Sequence, residues 1–140
     1  MLHGGQDQVD REGFIQDFKH KVRNIMVATS LCARGLDISH IKLVVNYCCP
    51  NHMEDYVHRV GRTGRAGEQG TAVTFITPEE CQYAQDLIMA LENSNKPVPE
   101  GLLELHEDYK QKVKDGEIEK RRANIGFSGK GFKFDANEEN

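Results

Sequence analysis

The chain has 140 residues, 38% of them hydrophobic and 29% charged, which is typical of one globular domain with an additional polar segment. No stretch approaches the roughly 20 apolar residues that cross a bilayer, and the first residues lack the basic and apolar regions of a secretory signal. A cytosolic or nuclear location is therefore the default expectation.

The net charge of -4 argues against nucleic-acid binding, but residues 110–133 carry eight lysines and arginines against three acidic residues. Because local basic patches attract phosphates, the overall charge does not exclude such a partner.

The cysteines do not favour metal binding. Cys32, Cys48, Cys49 and Cys81 form no Cys-x-x-Cys pair, and the adjacent Cys48 and Cys49 cannot both face one tetrahedral ion without strain. Small, mostly buried thiols in a reducing compartment are the better interpretation, and we predict no metal site on this chain.

The first residues indicate a strand end, a helix and a strand. Leu2 and His3 lead directly into a Gly-Gly turn, as at the end of a strand, so we expect a domain truncated at its N-terminal edge. Residues 8–19 carry a partial apolar stripe at helical spacing, and residues 24–28 form a short apolar run typical of a buried strand.

The middle of the chain predicts two more strands around a helix. Residues 42–47 are rich in β-formers, and Asn51 followed by Glu54 is a variant of the capping box that opens a helix. Glycines then interrupt the helix before a third strand at residues 71–77.

The last part of the chain predicts helices. Residues 77–80 offer an N-cap threonine, proline at the first helical position and glutamate at the third, and the helix that they open ends near residues 93–95. Residues 96–99 predict an extended linker and residues 100–114 a final helix. Beyond Asp115 the chain is charged and glycine-rich, and we expect it to be largely disordered.

Strands that alternate with helices predict an α/β fold with a mostly parallel sheet covered on both faces. We divide the chain into a partial domain at residues 1–95, a linker and C-terminal helix at 96–114, and a basic tail at 115–140.

The densest chemical signal is His-Arg-Val-Gly-Arg-Thr-Gly-Arg at residues 58–65. Arginines on a helix surface can serve solubility alone, but each interleaved glycine would destabilise a helix by about 1 kcal/mol. The pattern instead indicates a helix that ends in a loop and aims guanidinium groups, which bind phosphate oxygens bidentately. An arginine that reaches a transferring phosphoryl group stabilises the transition state, provided that a second site holds the nucleotide.

A second signal, at residues 28–38, directly follows the predicted strand 24–28. Ligands of open α/β sheets gather at the carboxyl ends of the strands. Thr29 can donate its hydroxyl and N–H to a phosphate, Gly35 permits close approach of the backbone, and Asp37 can accept from a ribose hydroxyl. Taken singly, each is also ordinary loop chemistry.

In order and spacing these segments resemble the motifs of the DEAD-box RNA helicases. Residues 58–65 are similar to their motif VI, His-Arg-x-Gly-Arg-x-Gly-Arg, and residues 28–38 to their motif V. Residues 8–11 resemble the Gln-x-x-Arg motif and residues 44–47 the strand after motif V, so that the likeness covers about residues 2–91. The resemblance implies a three-layer RecA-like fold, the second of two such domains joined by a flexible linker.

For the nucleotide, the resemblance implies that Arg62 and Arg65 are arginine fingers that reach the γ-phosphate of ATP across the cleft between the two domains. Gly35 and Asp37 would contact the phosphate and ribose side of ATP. The chain contains neither Gly-x-x-x-x-Gly-Lys-Thr nor Asp-Glu-Ala-Asp, so ATP and its Mg²⁺ would be held mainly by the absent first domain. We therefore expect no ATPase activity from this chain alone.

For RNA, the resemblance implies two further groups of residues. The sugar-phosphate backbone would be held by Gly5, Arg11 and Thr29. The RNA and ATP sites would be coupled by hydrogen bonds of Gln8 and His58 and by ion pairs of Arg34 within or between the domains. Ser30 and Cys48 stand where many members of the family have aspartate, but neither is a proposed phosphate contact.

Residues 125–135, together with residues 46–51, resemble the spliceosomal DEAD-box ATPases that act in branch-site recognition. This resemblance implies a nuclear protein of pre-mRNA splicing whose partners include RNA, the first RecA-like domain and spliceosomal ribonucleoprotein components. The tail can also be interpreted as a flexible segment that is merely attracted to RNA.

Two other functions stay open. A truncated, non-catalytic module for RNA binding or partner docking would also lack the phosphate-binding loop, and upstream sequence would decide between the two. Another helicase branch, acting on DNA or longer RNA, usually begins motif VI with glutamine, so His58 argues against it.

Overall fold

The structure, a computed structural model, describes residues 1–34, 36–65 and 67–121. In chain order its elements are α1 (Gln8–Lys19), α2 (Ser30–Ala33), β1 (Leu43–Asn46), α3 (Met53–Val60), β2 (Thr71–Thr74), a 3₁₀-helix (Pro78–Tyr83), α4 (Ala84–Asn93) and α5 (Glu100–Lys114). None of the helices in these ranges is long and apolar enough to span a membrane.

All strand pairing in the described part of the chain is parallel. β1 pairs with β2, with Val45 opposite Val73, and α3 forms the crossover between them. Leu2 and Ala28 form an isolated parallel bridge. The α/β class with a parallel sheet is therefore confirmed.

The predicted strand at residues 24–28 is wrong except at its last residue. Only Ala28 pairs, and the side chains of Ile25 and Val27 are 82% and 58% exposed. The bridge is held by two hydrogen bonds, from the N–H of Leu2 to the carbonyl of Val27 and from the N–H of Thr29 to the carbonyl of Leu2.

The helix boundaries follow local signals, with one exception. α1 and α5 occupy the predicted ranges, and the Glu80 carboxylate accepts the Thr77 N–H at 3.0 Å, as a capping box requires. The predicted cap of α3 is wrong by one residue: His52 is the N-cap, and its Nδ1 accepts the N–H of Asp55 at 3.2 Å. An imidazole nitrogen does here what an asparagine oxygen normally does.

The core lies between the last two helices and the loop after β1. Its buried residues are Cys49, Ala84, Leu87, Ile88 and Leu102, so α5 packs onto α4. The opposite face of the sheet carries exposed apolar side chains: Leu43, Val45, Tyr47, Val73 and Phe75.

The segment after α5 turns back toward the core. Gly116 adopts a left-handed φ of 74°, and the N–H of Glu117 donates to the carbonyl of Lys112 at 3.0 Å. The tail that we predicted to be disordered lies mostly in residues 122–140, outside the described residues.

Candidate functional site

The turn after α3, residues 61–65, carries the two predicted arginine fingers. We call it the arginine turn. Arg62 Nη1 donates to the carbonyl of Leu36 at 3.1 Å, and Arg65 Nη1 lies 3.6 Å from Asp37 Oδ1. Both guanidinium groups therefore lie against consecutive residues, 36 and 37, of the segment that follows α2. The structure brings Arg62, Arg65 and Asp37 together, whereas Gly35 lies outside the described residues.

The side chains of this turn also bind its own backbone. Arg62 Nε donates to the carbonyl of His58 at 3.2 Å, and Arg65 Nε donates to that of Gly61 at 2.9 Å. Gly64 adopts a φ of 66°, in the region that other residues rarely occupy. These bonds orient the two guanidinium groups.

The turn is packed against the entry to β2. The Thr63 hydroxyl donates to the carbonyl of Ile41. A Cβ on Gly70 would lie 2.8 Å from Thr63 Cβ and closer still to Thr63 Oγ1 and the Gly64 nitrogen. Glycine at position 70 therefore lets the turn lie directly on the neighbouring backbone.

A buried carboxylate that the sequence reasoning missed anchors the other end of α3. Asp55 is 5% exposed; its Oδ2 lies 2.6 Å from Arg59 Nη2 and its Oδ1 lies 3.6 Å from Arg34 Nη2. Arg59 Nη1 also donates to the carbonyl of Cys48 at 2.9 Å. The cluster joins α2, α3 and the loop after β1. The spacing of Asp55 and Arg59, four residues apart on a helix, was the available signal.

The predicted RNA-binding residues gather at the Leu2–Ala28 bridge. The Thr29 N–H donates to the carbonyl of Leu2 at 3.0 Å, so it does not serve a phosphate as the sequence suggested, and only the Thr29 hydroxyl is left for that role. Gly5 lies in the turn that follows Leu2. Arg11 Nη2 donates to the carbonyl of Gln6, in the same turn, at 3.4 Å. The bridge places Thr29 beside the turn that contains Gly5, and the hydrogen bond to Gln6 places Arg11 at the same turn; we refer to these residues as the Leu2–Ala28 edge.

The arginine turn and this edge are connected through α2. Thr29 is the N-cap of α2 and Arg34 is its C-cap, and Arg34 makes its ion pair within the domain, with Asp55. The other two predicted coupling residues make local contacts: Gln8 Nε2 donates to Glu12 Oε1 at 2.7 Å, and His58 offers its carbonyl to Arg62. Coupling through the side chains of Gln8 and His58 stays a prediction.

The described residues form no metal-binding cluster, and Cys49 is not a reactive thiol. No group of three or more His, Cys, Asp or Glu residues is arranged there to hold an ion, and the four cysteines are free. Burial raises the pKa of the Cys49 thiol to about 11, with a further contribution from the charge of Glu80. Cys49 is therefore a protonated core residue at neutral pH.

Comparison with known proteins identifies the family. The helicase conserved C-terminal domain matches residues 1–67. The chain is 57% identical over 139 residues to the human "Probable ATP-dependent RNA helicase DDX46", covering 99% of this chain and 13% of that protein. It is 56% identical over 131 residues to the Schizosaccharomyces pombe "Pre-mRNA-processing ATP-dependent RNA helicase prp11", covering 94% of this chain and 13% of that protein.

A solved structure agrees with the curated relatives. The yeast DEAD-box splicing factor Prp28 is similar with a TM-score of 0.65 and 34% identity, covering 88% of this chain and 26% of that chain. The chain spans about 13% of the length of the two curated relatives. It belongs to the DEAD-box RNA helicase family, of which it carries the conserved C-terminal, RecA-like helicase domain.

Proposed function

We propose that the chain is the second RecA-like half of an ATP-dependent RNA helicase. In this role it grips the RNA backbone and supplies Arg62 and Arg65 to ATP that is held mainly by the first domain. The observation that carries the proposal is the position of both guanidinium groups against residues 36 and 37, beside the exposed carboxylate of Asp37.

The present contacts of the arginines suit exchange for a phosphate. Arg65 and Asp37 are 3.6 Å apart, and their side chains are 40% and 92% exposed. An ion pair of that kind contributes about 0–1 kcal/mol, so a triphosphate can replace Asp37 as the partner of Arg65 at little cost. Asp37 would then turn to a ribose hydroxyl.

The described part of the chain offers no cluster of acidic residues for Mg²⁺. The ion would therefore be held mainly by the first domain and the phosphates. The arginines supply positive charge at the γ-phosphoryl group, and this electrostatic stabilisation needs no chemistry from the side chain itself.

The edge at Leu2 and Ala28 suits a nucleic-acid backbone. The Arg11 guanidinium makes one long hydrogen bond, from Nη2 to the carbonyl of Gln6 at 3.4 Å, which an RNA phosphate could replace with a charge-assisted one. Contacts from Arg11, Thr29 and the turn at Gly5 would reach phosphates and sugars rather than base edges, so they position RNA without reading its sequence.

ATP and RNA would each bind between the two domains, so each would favour the closed arrangement and raise the affinity for the other. Because the S. pombe relative is called a pre-mRNA-processing helicase, we extend the proposal to pre-mRNA splicing in the nucleus. Spliceosomal ribonucleoprotein components would then be partners.

The test is a chimera of the human relative in which this chain replaces the matching 139 residues. We expect RNA-stimulated ATP hydrolysis from the chimera and none from the chain alone. Arg62→Ala should lower kcat by about 10³-fold, as is usual for an arginine finger. The matched control is Arg23→Ala, which removes an exposed ion pair with Asp17 at 3.1 Å and should leave kcat unchanged.

An Arg62→Ala chimera as active as its parent would refute the finger assignment, and ATP turnover by the chain alone would refute its dependence on a first domain. RNA binding by a chimera that hydrolyses no ATP would favour the non-catalytic alternative.

A further inference from the structure

The segment after α5, residues 115–121, carries an arginine whose side chain contacts α4, the 3₁₀-helix and the loop before α3. We propose that Tyr83 and Asp86 form an arginine-binding site for Arg121, which fastens the segment 115–121 to the loop before α3 and holds that loop in place.

The site contacts both terminal nitrogens and the face of the guanidinium group. Arg121 Nη1 lies 2.9 Å from Asp86 Oδ2 and donates to the carbonyl of Gln82 at 3.4 Å. Nη2 donates to the carbonyl of Asn51, and the guanidinium carbon lies 5.1 Å from the centroid of the Tyr83 ring. A planar fork of donors with an aromatic face beneath it is a combination that lysine cannot reproduce.

The ion pair is more sheltered than the two ion pairs within α5. The side chains of Arg121 and Asp86 are 22% and 24% exposed, against 55% and 70% for Lys110 and Glu107 and 32% and 46% for Lys112 and Asp108. Because water and salt screen a sheltered pair less, this contact restrains the chain more than a surface pair does.

The backbone of residue 121 is held as well. Its N–H donates to the hydroxyl of Tyr109 at 2.7 Å, and Tyr109 is 9% exposed. Together with the reversal at Gly116, this bond directs Arg121 to Asp86. The site is therefore specific for this segment rather than a chance encounter of charges.

The hydrogen bond from Arg121 to the carbonyl of Asn51 links this site to the start of α3. The next residue, His52, caps α3 by accepting the N–H of Asp55, and α3 ends in the turn that carries Arg62. Restraint of Asn51 thus restrains the start of the helix that bears the arginine turn. This consequence for activity rests on the proposed function, whereas the arginine-binding site does not.

Amide hydrogen exchange of the 140-residue chain tests the site. In Arg121→Ala the amides of Asp55 and Tyr56 should exchange about tenfold faster, because the loop that caps α3 opens more often. Asp86→Asn should have a similar effect, and the double variant should add little to either single variant, since both remove one interaction. Arg121→Lys should recover only part of the protection, and Arg23→Ala should change nothing at these amides.

Unchanged exchange of Asp55 and Tyr56 in Arg121→Ala would overturn the proposal, and so would fully additive effects of the two substitutions. In the chimera, Arg121→Ala should lower kcat about tenfold through misplacement of the arginine turn, with the KM for RNA unchanged. An unaltered kcat would overturn the positioning role. A parent chimera without ATPase activity would refute the proposed function instead, and the exchange experiment would still decide whether the site exists.

Discussion

Replacement of Gly70 by alanine tests how the arginine turn is held. The added Cβ would lie 2.8 Å from Thr63 Cβ and closer still to the Gly64 nitrogen, well inside ordinary van der Waals contact. The Gly64 nitrogen is a backbone atom, and the Thr63 hydroxyl is bonded to Ile41. Neither can move without disturbing the turn that carries Arg62 and Arg65.

The expected cost follows from these contacts. Overpacking a well-packed site costs about 1–3 kcal/mol, and the lower entropy of the unfolded chain returns about 0.4–1 kcal/mol when glycine becomes alanine. We therefore expect Gly70→Ala to lower the free energy of unfolding by about 1–2 kcal/mol. Because the clash is with the turn itself, the chimera that carries Gly70→Ala should also lose ATPase activity.

Urea unfolding, followed by circular dichroism, measures the change. With a slope of about 1–3 kcal/mol per molar urea, the midpoint should fall by roughly 0.3–2 M. Gly13→Ala is the matched control: Gly13 lies within α1 and a Cβ there meets no atom within 4 Å, so this variant should be about 0.5–1 kcal/mol more stable than the parent. A midpoint for Gly70→Ala at or above that of the parent, with Gly13→Ala behaving as expected, would refute the reasoning.

Two further predictions concern the loop before α3 and the helix itself. Asp55→Asn keeps the shape of the side chain but removes the charge that lies 2.6 Å from Arg59; it should lower the free energy of unfolding by about 1–3 kcal/mol, less than for a wholly buried pair because the Arg59 side chain is 22% exposed. An unchanged urea midpoint would count against this role of Asp55. Burial raises the pKa of Cys49 from 9.0 to about 11, so the unfolded state loses its thiol proton first. The stabilising contribution of this protonated thiol is fully present below pH 9 and is lost as the pH rises toward 11. Thermal melting at pH 8 and pH 10 should show a smaller loss for Cys49→Ala than for the parent, and equal losses would contradict the assignment.

The elements with strong local signals could be predicted from the sequence. Apolar periodicity defined α1 and α5, and the Thr77–Glu80 capping box marked the start of the 3₁₀-helix. The arginine turn could also be predicted, because its glycines and arginines lie within one short segment. Their phosphate-binding chemistry can be inferred without knowledge of the fold. These features depend on interactions within a few residues, which a single segment already contains.

Other features depend on residues that only the folded chain brings together. The run at 24–28 has the composition of a strand, but among the described residues it pairs only through Ala28, with Leu2. In the sequence Asp55 is an ordinary helix residue, but in the fold it forms an ion pair with Arg34 of the α2 C-cap. In the sequence Arg121 is part of a charged tail. In the fold the chain reverses after α5 and places Arg121 beside Asp86, 35 residues away in sequence. The propensity of a single segment cannot predict such contacts, because their free energy comes from burial and charge pairing between distant segments. Only the tertiary structure decided them.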